Sequence, residues 1–221
     1  MFRIQISADL INKVPGIRLW CIGSNVEVGP SPASLLSRME EKCRELGKQM
    51  RIDEISSWLP VKVSRNAYRI TGKDPARYRL SAEALLRRVV KGEPLCRINN
   101  VVDLLNLVSL TTGFSIGGYN SSKIRGDVTF GIGRSDEIYE GIGRGVLNIG
   151  GLPVFRDEVG AFGSPTSDSV RTSVDGNTRN FLMVIFDFGA PDLVREAVAL
   201  SVNLLETYAG STDPAIKCIE P

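Results

Sequence analysis

The chain has 221 residues, of which 43% are hydrophobic and 24% are charged, and its formal net charge is +2; these values predict a soluble globular protein with one large domain or two small ones. It contains no run of 18 apolar residues and no signal-peptide pattern, so we expect a cytoplasmic protein that does not enter a membrane. It has no histidine and four widely separated cysteines, which exclude Ser-His-Asp and Cys-His catalysis and predict no metal site, no cofactor and no disulfide framework.

The first sixty residues are typical of a small α/β unit. Residues 2–8 and 17–28 have the composition of strands, and a Val-Pro-Gly turn separates them. Residues 52–60 show neither a helical nor a strand period, and we interpret Pro60 as closing a short turn. This part is therefore expected to precede the main domain as an α/β extension over residues 1–60.

A helix is predicted between the second strand and that turn. Ser31 followed by Pro32 indicates an N-cap and a first helical residue, and the apolar pattern then continues to about Gly47. The apolar positions recur at helical spacing and predict one face packed on the strands. They are Leu35, Leu36, Met39, Cys43 and Leu46.

Positive charge is concentrated between residues 62 and 97. Ten basic residues occur there with three acidic ones, and Tyr68 and Tyr78 are interleaved among them. Such a segment is suited to following a nucleic-acid phosphate backbone, and a solvated surface face is the alternative. The residues predicted to bind RNA are Arg65, Arg69, Lys73, Arg77, Arg87, Arg88 and Lys91.

Two helices with well-marked ends are predicted next. Ser81 is suited to an N-cap, basic residues occupy the last turn, and Gly92 indicates the end of the first helix. The second helix is predicted from Asn100 to Thr112, with Gly113 as its stop.

The second of these helices carries a polar line on an otherwise apolar surface. Asn99, Asp103 and Asn106 follow one another at i, i+4 and i+7, and so lie along one side. Burying such groups without partners costs about 1 to 3 kcal/mol each, so the line must face a loop, ordered water or a ligand. Loop anchoring and ligand binding are both open interpretations.

Glycine-punctuated, strand-like pieces begin after Gly113 and predict an antiparallel sheet with tight turns. The pieces span residues 127–132, 137–142, 145–149, 152–156, 169–174 and 181–188. The tetrapeptide GIGR occurs at 131–134 and at 141–144. Because neither copy fits a known phosphate-binding motif, its glycines are better explained by turns or close backbone approach.

The last predicted element is a helix that Pro191 begins and Gly210 ends. Its apolar residues recur at helical spacing, which predicts a face directed at the core. They are Leu193, Ala197, Leu200, Leu204 and Tyr208.

The order of several motifs resembles the B3/4 domain of the bacterial phenylalanyl-tRNA synthetase β subunit, which small stand-alone proteins share. The motifs are AYR at 67–69, SAEALLRR at 81–88, INNVVDLLN at 98–106, the following IGGYN and KIRG pieces, and TRNFLMVIF at 178–186. The resemblance covers about residues 65–188 and implies the fold of that domain, an α+β fold with a largely antiparallel sheet and flanking helices. Because the catalytic modules of the synthetase have no counterpart, the resemblance implies no aminoacylation activity.

In the synthetase this domain holds an editing pocket that removes tyrosine from the phenylalanine tRNA. The resemblance assigns the pocket asparagine to Asn106. Other pocket residues differ, since the neighbouring threonine corresponds to Leu105, the histidine to Gly117 and the glutamate of a later strand to Val184. These departures remove the protein groups that would place the attacking water.

Further candidates for a ligand site surround the polar loop GSPTSDSVRT at residues 163–172. Its hydroxyls and the Arg171 guanidinium are suited to holding a carboxylate or phosphate, and an ordinary turn cluster is the alternative. With the residues named above, the predicted ligand-binding set is Asn106, Asp103, Gly117, Asp157, Thr166, Asp168, Arg171 and Thr172.

We therefore predict a single domain over residues 1–221, with a C-terminal helix over 191–209, that binds tRNA. The basic segment contacts phosphates in this hypothesis, and a cleft beside Asn106 receives the terminal nucleotide or aminoacyl group. One alternative is a hydrolase that removes amino acids from mischarged tRNA. Another is a protein that binds an amino acid or a related metabolite without RNA.

Overall fold

A computed structural model describes residues 3–221 as two packed β-sheets, a short β-hairpin and six α-helices. The strands are β1 (Ile4–Ile6), β2 (Arg18–Asn25), β3 (Ile116–Asn120), β4 (Val128–Ile132), β5 (Glu140–Gly141), β6 (Gly145–Val146), β7 (Pro153–Arg156), β8 (Ala161–Gly163), β9 (Asn180–Asp187) and β10 (Ala215–Ile219). The α-helices are α1 (Ala8–Lys13), α2 (Ala33–Gln49), α3 (Leu59–Thr71), α4 (Ser81–Val90), α5 (Asn100–Thr112) and α6 (Pro191–Tyr208).

The strands form a larger sheet, a smaller sheet and a short hairpin. The larger sheet has the order β10-β2-β9-β3 and is antiparallel throughout. The smaller sheet has the order β1-β4-β7-β8, in which only β1 runs parallel to its neighbour. Strands β5 and β6 make the hairpin. The predicted α+β class with largely antiparallel strands is confirmed.

The larger sheet is covered on both faces. Met183 and Ile185 of β9 belong to a cluster with α5 and α6, whereas Val184 and Phe186 belong to a cluster with Phe130 of the smaller sheet. This alternation follows from the two-residue period of a strand, and it gives three layers, which are α2 with α5 and α6, then the larger sheet, then the smaller sheet. Burying each large apolar side chain contributes about 1.5 to 3 kcal/mol, so both faces stabilise the sheet.

A third apolar cluster joins α3 and α4 to the hairpin. Leu86 and Val89 of α4 are buried together with Tyr68 of α3 and with Tyr139, which directly precedes β5. The hairpin is also tied to the chain after β8, since Ile142 N donates to the Asp168 carbonyl over 2.9 Å. Packing therefore places the hairpin next to α4.

Helix α5 has the predicted bounds, from Asn100 to Thr112. The Asn99 side chain accepts a hydrogen bond from Val102 N over 2.9 Å, which caps the first turn. Gly113 ends the helix with a φ of 76°, a left-handed conformation that glycine adopts without strain.

Other predicted helix ends need correction. Ser31 does not cap α2, because its Oγ donates to Asp103 Oδ2 over 2.6 Å, and α2 continues past Gly47. Ser81 is the first residue of α4 and not its N-cap. Pro60 stands in the first turn of α3, where a missing N–H costs nothing, and so begins a helix instead of closing a turn.

Predicted strands are corrected as well. Residues 169–174 contain a short 3₁₀ helix, and the pieces at 137–142 and 145–149 shrink to the two-residue strands β5 and β6. Strands β3, β8 and β10 and helices α1 and α3 were not predicted, and residue 2 of the first predicted strand lies outside the described residues. In α6, Leu193 is 38% exposed and the adjacent Val194 is buried in its place. Within residues 3–221, none of the helices combines the length and the hydropathy that a membrane span requires.

A candidate nucleic-acid interface

A groove of about 330 Å³ between α4 and the β5–β6 hairpin is lined by five cationic side chains and one carboxylate. Four of the cations come from α4 and the residues beside it, and the fifth comes from the turn of the hairpin. The lining residues are Arg79, Ala84, Arg87, Arg88, Lys91, Glu93 and Arg144. This excess of positive charge in a concave surface is suited to an anionic polymer.

The hairpin turn places Arg144 in the groove. Gly143 and Gly145 have φ values of 67° and 68°. Both neighbours of Arg144 in the chain thus adopt the left-handed backbone conformation that a tight turn needs. The second GIGR copy is therefore a turn, in agreement with the simpler interpretation of its glycines. The arginine at its end is nevertheless part of the cationic surface.

A buried carboxylate lies beneath the groove and organises its arginines. The Glu83 side chain is 1% exposed, and its oxygens accept hydrogen bonds from Arg65 Nη1 over 2.7 and 3.0 Å and from Arg87 Nε over 3.0 Å. Arg79 Nε lies 3.9 Å from the same carboxylate. Because three guanidinium groups share one carboxylate, positive charge remains uncompensated while the side chains are held in place.

The outer cations of the groove are held more loosely. Arg88 donates from Nη2 to the Pro94 carbonyl over 2.8 Å and lies 3.7 Å from Glu93, and Lys91 lies 4.0 Å from that same carboxylate. The Arg88 and Lys91 side chains are 47% and 55% exposed. Exposed pairs of this kind contribute at most about 1 kcal/mol, so both cations are available to a ligand.

The structure brings three of the seven predicted RNA-binding residues together, namely Arg87, Arg88 and Lys91. Arg65 lies behind them as a partner of the buried Glu83. Arg69 is exposed at the end of α3, and Arg77 lines a separate shallow hollow with Ser135 and Asn148.

Lys73 corrects the prediction, because its ammonium group is already used inside the protein. Its Nζ donates to the carbonyls of Asn148 and Gly150 over 2.6 and 2.8 Å and lies 3.7 Å from the centre of the Tyr78 ring. Burial lowers the pKa of this ammonium group, and Arg77 lowers it further. Lys73 therefore fixes the loop before β7 through its ammonium group.

The RNA-binding set omitted Arg79 and Arg144. Arg79 belongs to the same basic segment, and its spacing of four residues from Glu83 was the available signal. Arg144 comes from a distant part of the chain and enters the groove only through the packing of the hairpin.

The two predicted ligand residues on the polar line of α5, Asp103 and Asn106, have different environments in the structure. Asp103 is buried, and its carboxylate accepts hydrogen bonds from Ser31 Oγ over 2.6 Å and from Ile98 N over 3.1 Å. Asp103 thus anchors two neighbouring segments, which is the loop-anchoring alternative. The Asn106 side chain is partly exposed and has no hydrogen-bond partner among residues 3–221. Its proposed contact with a ligand stays a prediction.

Arg171 and Asp157 form an internal ion pair, which corrects their assignment to a ligand site. Arg171 Nη1 and Nη2 donate to the two Asp157 oxygens over 3.0 and 2.8 Å. Burial raises the pKa of Asp157, but hydrogen bonds from Arg171 and from three backbone N–H groups outweigh it and lower the pKa below its usual value. The guanidinium fork is therefore occupied by a carboxylate of this chain.

The polar loop 163–172 behaves as a turn cluster. Ser164 Oγ accepts hydrogen bonds from Thr166 N over 3.3 Å and from Ser167 N over 3.2 Å, a local side-chain turn. Thr166 Oγ1 is 2.9 Å from the Tyr68 hydroxyl, and Thr172 is completely buried. The structure thus corrects the prediction that Thr166 and Thr172 face a ligand.

Asp168 and Gly117 face a buried tyrosine instead of a ligand. Asp168 Oδ2 accepts a hydrogen bond from Gly118 N over 3.1 Å, while Asp168 Oδ1 and the Tyr119 hydroxyl are buried without partners in the described part of the chain. Burial raises the pKa of Asp168 to about 7. A Cβ at position 117 would lie 2.1 Å from the Tyr119 hydroxyl oxygen, so this ring fills the space of a side chain there.

The described residues contain no group of three or more cysteine, aspartate or glutamate side chains placed to hold a metal ion. The eight predicted ligand residues line neither the cationic groove nor an apolar hollow that is bounded by β2, β9 and β10.

Comparison with known proteins gives a family and a fold neighbour. The model of the B3/4 domain family matches residues 63–210, which include every lining residue of the groove. One similar solved structure is an N-terminal fragment of the phenylalanyl-tRNA synthetase β-subunit from Pyrococcus horikoshii, with 12% identity and a TM-score of 0.49. The alignment covers 97% of this chain and 50% of that chain, so this chain spans half the length of the fragment. No curated protein matches the chain.

Proposed function

We propose, from the premise that this chain belongs to the B3/4 domain family, that it binds tRNA through the cationic groove between α4 and the hairpin. The observation that carries the proposal is the convergence of five cations, four of which come from the basic segment 62–97 and one, Arg144, from the hairpin. Phosphate contacts supply most of the affinity of such surfaces, and their strength depends on salt.

The choice of tRNA rests on the family resemblance, since the groove itself recognises only the phosphate backbone. Phosphate contacts fix position and carry no sequence information. The groove is therefore expected to bind several tRNAs with similar affinity, with selectivity supplied elsewhere.

Hydrolysis of mischarged tRNA has less support than binding. In this chain the Tyr119 ring takes the space next to position 117, where the editing domain has its histidine, and Val184 replaces the glutamate. Gly117 and Val184, which occupy these two positions, have no side-chain group able to accept a proton from water.

The test is fluorescence anisotropy with labelled tRNA and the full chain at salt concentrations from about 50 to 200 mM. The combined variant Arg88→Gln, Lys91→Gln and Arg144→Gln removes three exposed cations and leaves the Glu83 network intact. We expect at least about a tenfold loss of affinity and a log-log salt slope reduced by about 2 to 3 in magnitude, at about 0.9 per phosphate contact.

The matched control is the variant Lys13→Gln, Lys48→Gln and Arg195→Gln, which makes the same change in net charge at exposed positions outside the groove. It should retain most of the affinity and slope. An equal loss in both variants would show that tRNA responds only to total charge and would refute the groove as the interface.

A further inference from the structure

A second hollow, of about 560 Å³, lies on the face of the larger sheet that is directed at the smaller sheet. It opens beside Ile4 of β1 and is bounded by β2, β9 and β10 and by the turn after β3. Small-molecule sites typically have volumes of about 300 to 1,000 Å³ and mostly apolar walls with a few polar groups. None of its lining residues is shared with the cationic groove.

The strand register explains why this part of the sheet is hollow. Leu19, Phe186 and Ile219 stand side by side across β2, β9 and β10, and all three are buried. Two rows further along the same face, Gly23 is paired with Ala215. On β2 and β10 the large side chains thus give way to small ones, which leaves a hollow beside Leu182 of β9.

Gly23 is the most informative residue of the hollow. It lies inside β2 with no positive φ, and a Cβ there would meet nothing nearer than the Ala215 carbonyl oxygen, at 3.9 Å. Neither backbone strain nor lack of space requires a glycine. Glycine within a strand weakens it, and such a residue often marks a place where a ligand approaches the backbone.

The polar side chains lie at the rim of the hollow, and the charge among them is positive. Asn180 Nδ2 donates to Ser122 Oγ over 3.1 Å, and Ser121 lies beside them. Lys217 is exposed on β10, and its ammonium group has no ion pair or hydrogen bond within residues 3–221. The lining contains this one cation and no carboxylate.

The remaining wall is neutral. Cys21 lies across the strand pair from Lys217, and its side chain is almost fully buried. Burial raises the pKa of its thiol to about 12. Cys21 therefore contributes apolar surface beside Ile4 and Leu182.

We propose that this hollow binds a small amphipathic anion, with its apolar body over Gly23 and Leu182 and its carboxylate or other acidic head paired with Lys217. Asn180 and the two serines supply hydrogen bonds to the head. Because the hollow has no carboxylate, the ammonium group of an α-amino acid finds no counter-charge, so unaminated acids are favoured over amino acids. This activity is separate from tRNA binding.

A lysine that points inward from an edge strand is also a known means of preventing strands of two molecules from pairing. If Lys217 has only that role, the affinity of the hollow for a ligand should not depend on the sign of the ligand's charge. The experiment is therefore built on the sign of the ligand charge.

The first test uses three probes with the same eight-carbon chain: octanoate, 1-octanol and octylamine. Calorimetry with the full chain should show octanoate binding at least about tenfold more tightly than octylamine, a factor worth about 1.4 kcal/mol, and octanoate should raise the melting temperature by mass action. Lys217→Gln should reduce octanoate affinity to that of octanol and leave octanol unchanged, whereas Lys48→Gln should change neither. Equal affinities for octanoate and octylamine, or equal effects of the two lysine variants, would overturn the proposed charge pairing.

The second test locates the ligand. Gly23→Val places a branched side chain in the hollow at a strand position that favours it, so the melting temperature should not fall. Binding of both octanoate and octanol should be lost, while tRNA affinity should be unchanged. Retained octanoate binding in a folded Gly23→Val protein would refute the hollow as the site, and absence of binding to the unsubstituted chain would refute the proposal as a whole. Octyl phosphate then distinguishes phosphate from carboxylate heads.

Discussion

The buried side chain of Asp168 shows how a single residue makes this fold sensitive to pH. Burial raises its pKa from 3.8 to about 7, and one carboxylate oxygen has no hydrogen-bond partner in the described chain. Between these two values the folded protein holds a proton on Asp168 that the unfolded chain does not hold. Stability is therefore highest below the lower value and is lost as the pH rises toward the upper one.

The variant Asp168→Asn should remove this dependence. The amide oxygen still accepts from Gly118 N, and the side chain stays neutral at every pH. We expect the free energy of unfolding to exceed that of the unsubstituted protein at about pH 8 by roughly 1 to 4 kcal/mol, since each pKa unit corresponds to about 1.4 kcal/mol, and to match it at about pH 4.

Urea denaturation at both pH values measures this difference. Asp136→Asn, at an exposed carboxylate, is the control and should give the same difference at both pH values. The gain in unfolding free energy that Asp168→Asn gives over the unsubstituted chain should be larger at high pH than at low pH. If it were not, Asp168 would not hold the proton.

Helix α5 shows how an element is fixed by its first turn as well as by its apolar faces. Asn100 Oδ1 accepts from Gly29 N over 2.9 Å, and its Nδ2 donates to the carbonyls of Glu27 and Tyr208 over 2.8 and 2.7 Å. One side chain thus joins the start of α5 to the segment after β2 and to the last turn of α6. The adjacent Asn99 makes only a local cap.

We therefore expect Asn100→Ala to destabilise the protein by about 2 to 4 kcal/mol, since it leaves three backbone groups without partners. Asn99→Ala should cost about 1 kcal/mol, the usual value of an N-cap. Equilibrium unfolding measures both, and amide exchange at Gly29 should quicken in Asn100→Ala alone. Equal costs for the two variants would contradict the joining role of Asn100.

At the scale of the whole molecule, the two proposed activities use different parts of the fold. The cationic groove is formed by α4 and the hairpin, whereas the apolar hollow lies between the two sheets, and the two linings share no residue. Changes at separate sites are expected to add in free energy.

This separation predicts independence in solution. The three groove substitutions Arg88→Gln, Lys91→Gln and Arg144→Gln should change octanoate affinity by less than about twofold, within the usual limits of additivity. Calorimetry with octanoate on that variant is the measurement, and Lys217→Gln is the positive control. A loss comparable to that caused by Lys217→Gln would mean that the two surfaces are coupled.

The chain by itself determined the features whose causes are local. Asn99 and Gly113 set the ends of α5 because capping and left-handed geometry act within a few residues. The density of basic residues in the segment 62–97 likewise pointed to α4, where Arg87, Arg88 and Lys91 face one groove. The family motifs, which are local runs of sequence, were sufficient to indicate the fold class.

Only the tertiary structure decided which polar groups are available to a ligand. Lys73, Asp103, Asp157 and Arg171 have the chemistry of binding residues, but partners distant in the chain already satisfy their hydrogen bonds. Arg144 enters the groove, and Gly23 and Ala215 form a hollow, through packing and register that no local pattern encodes. The physical reason is that propensity and capping act over a few residues, whereas burial and pairing depend on residues that only folding brings together.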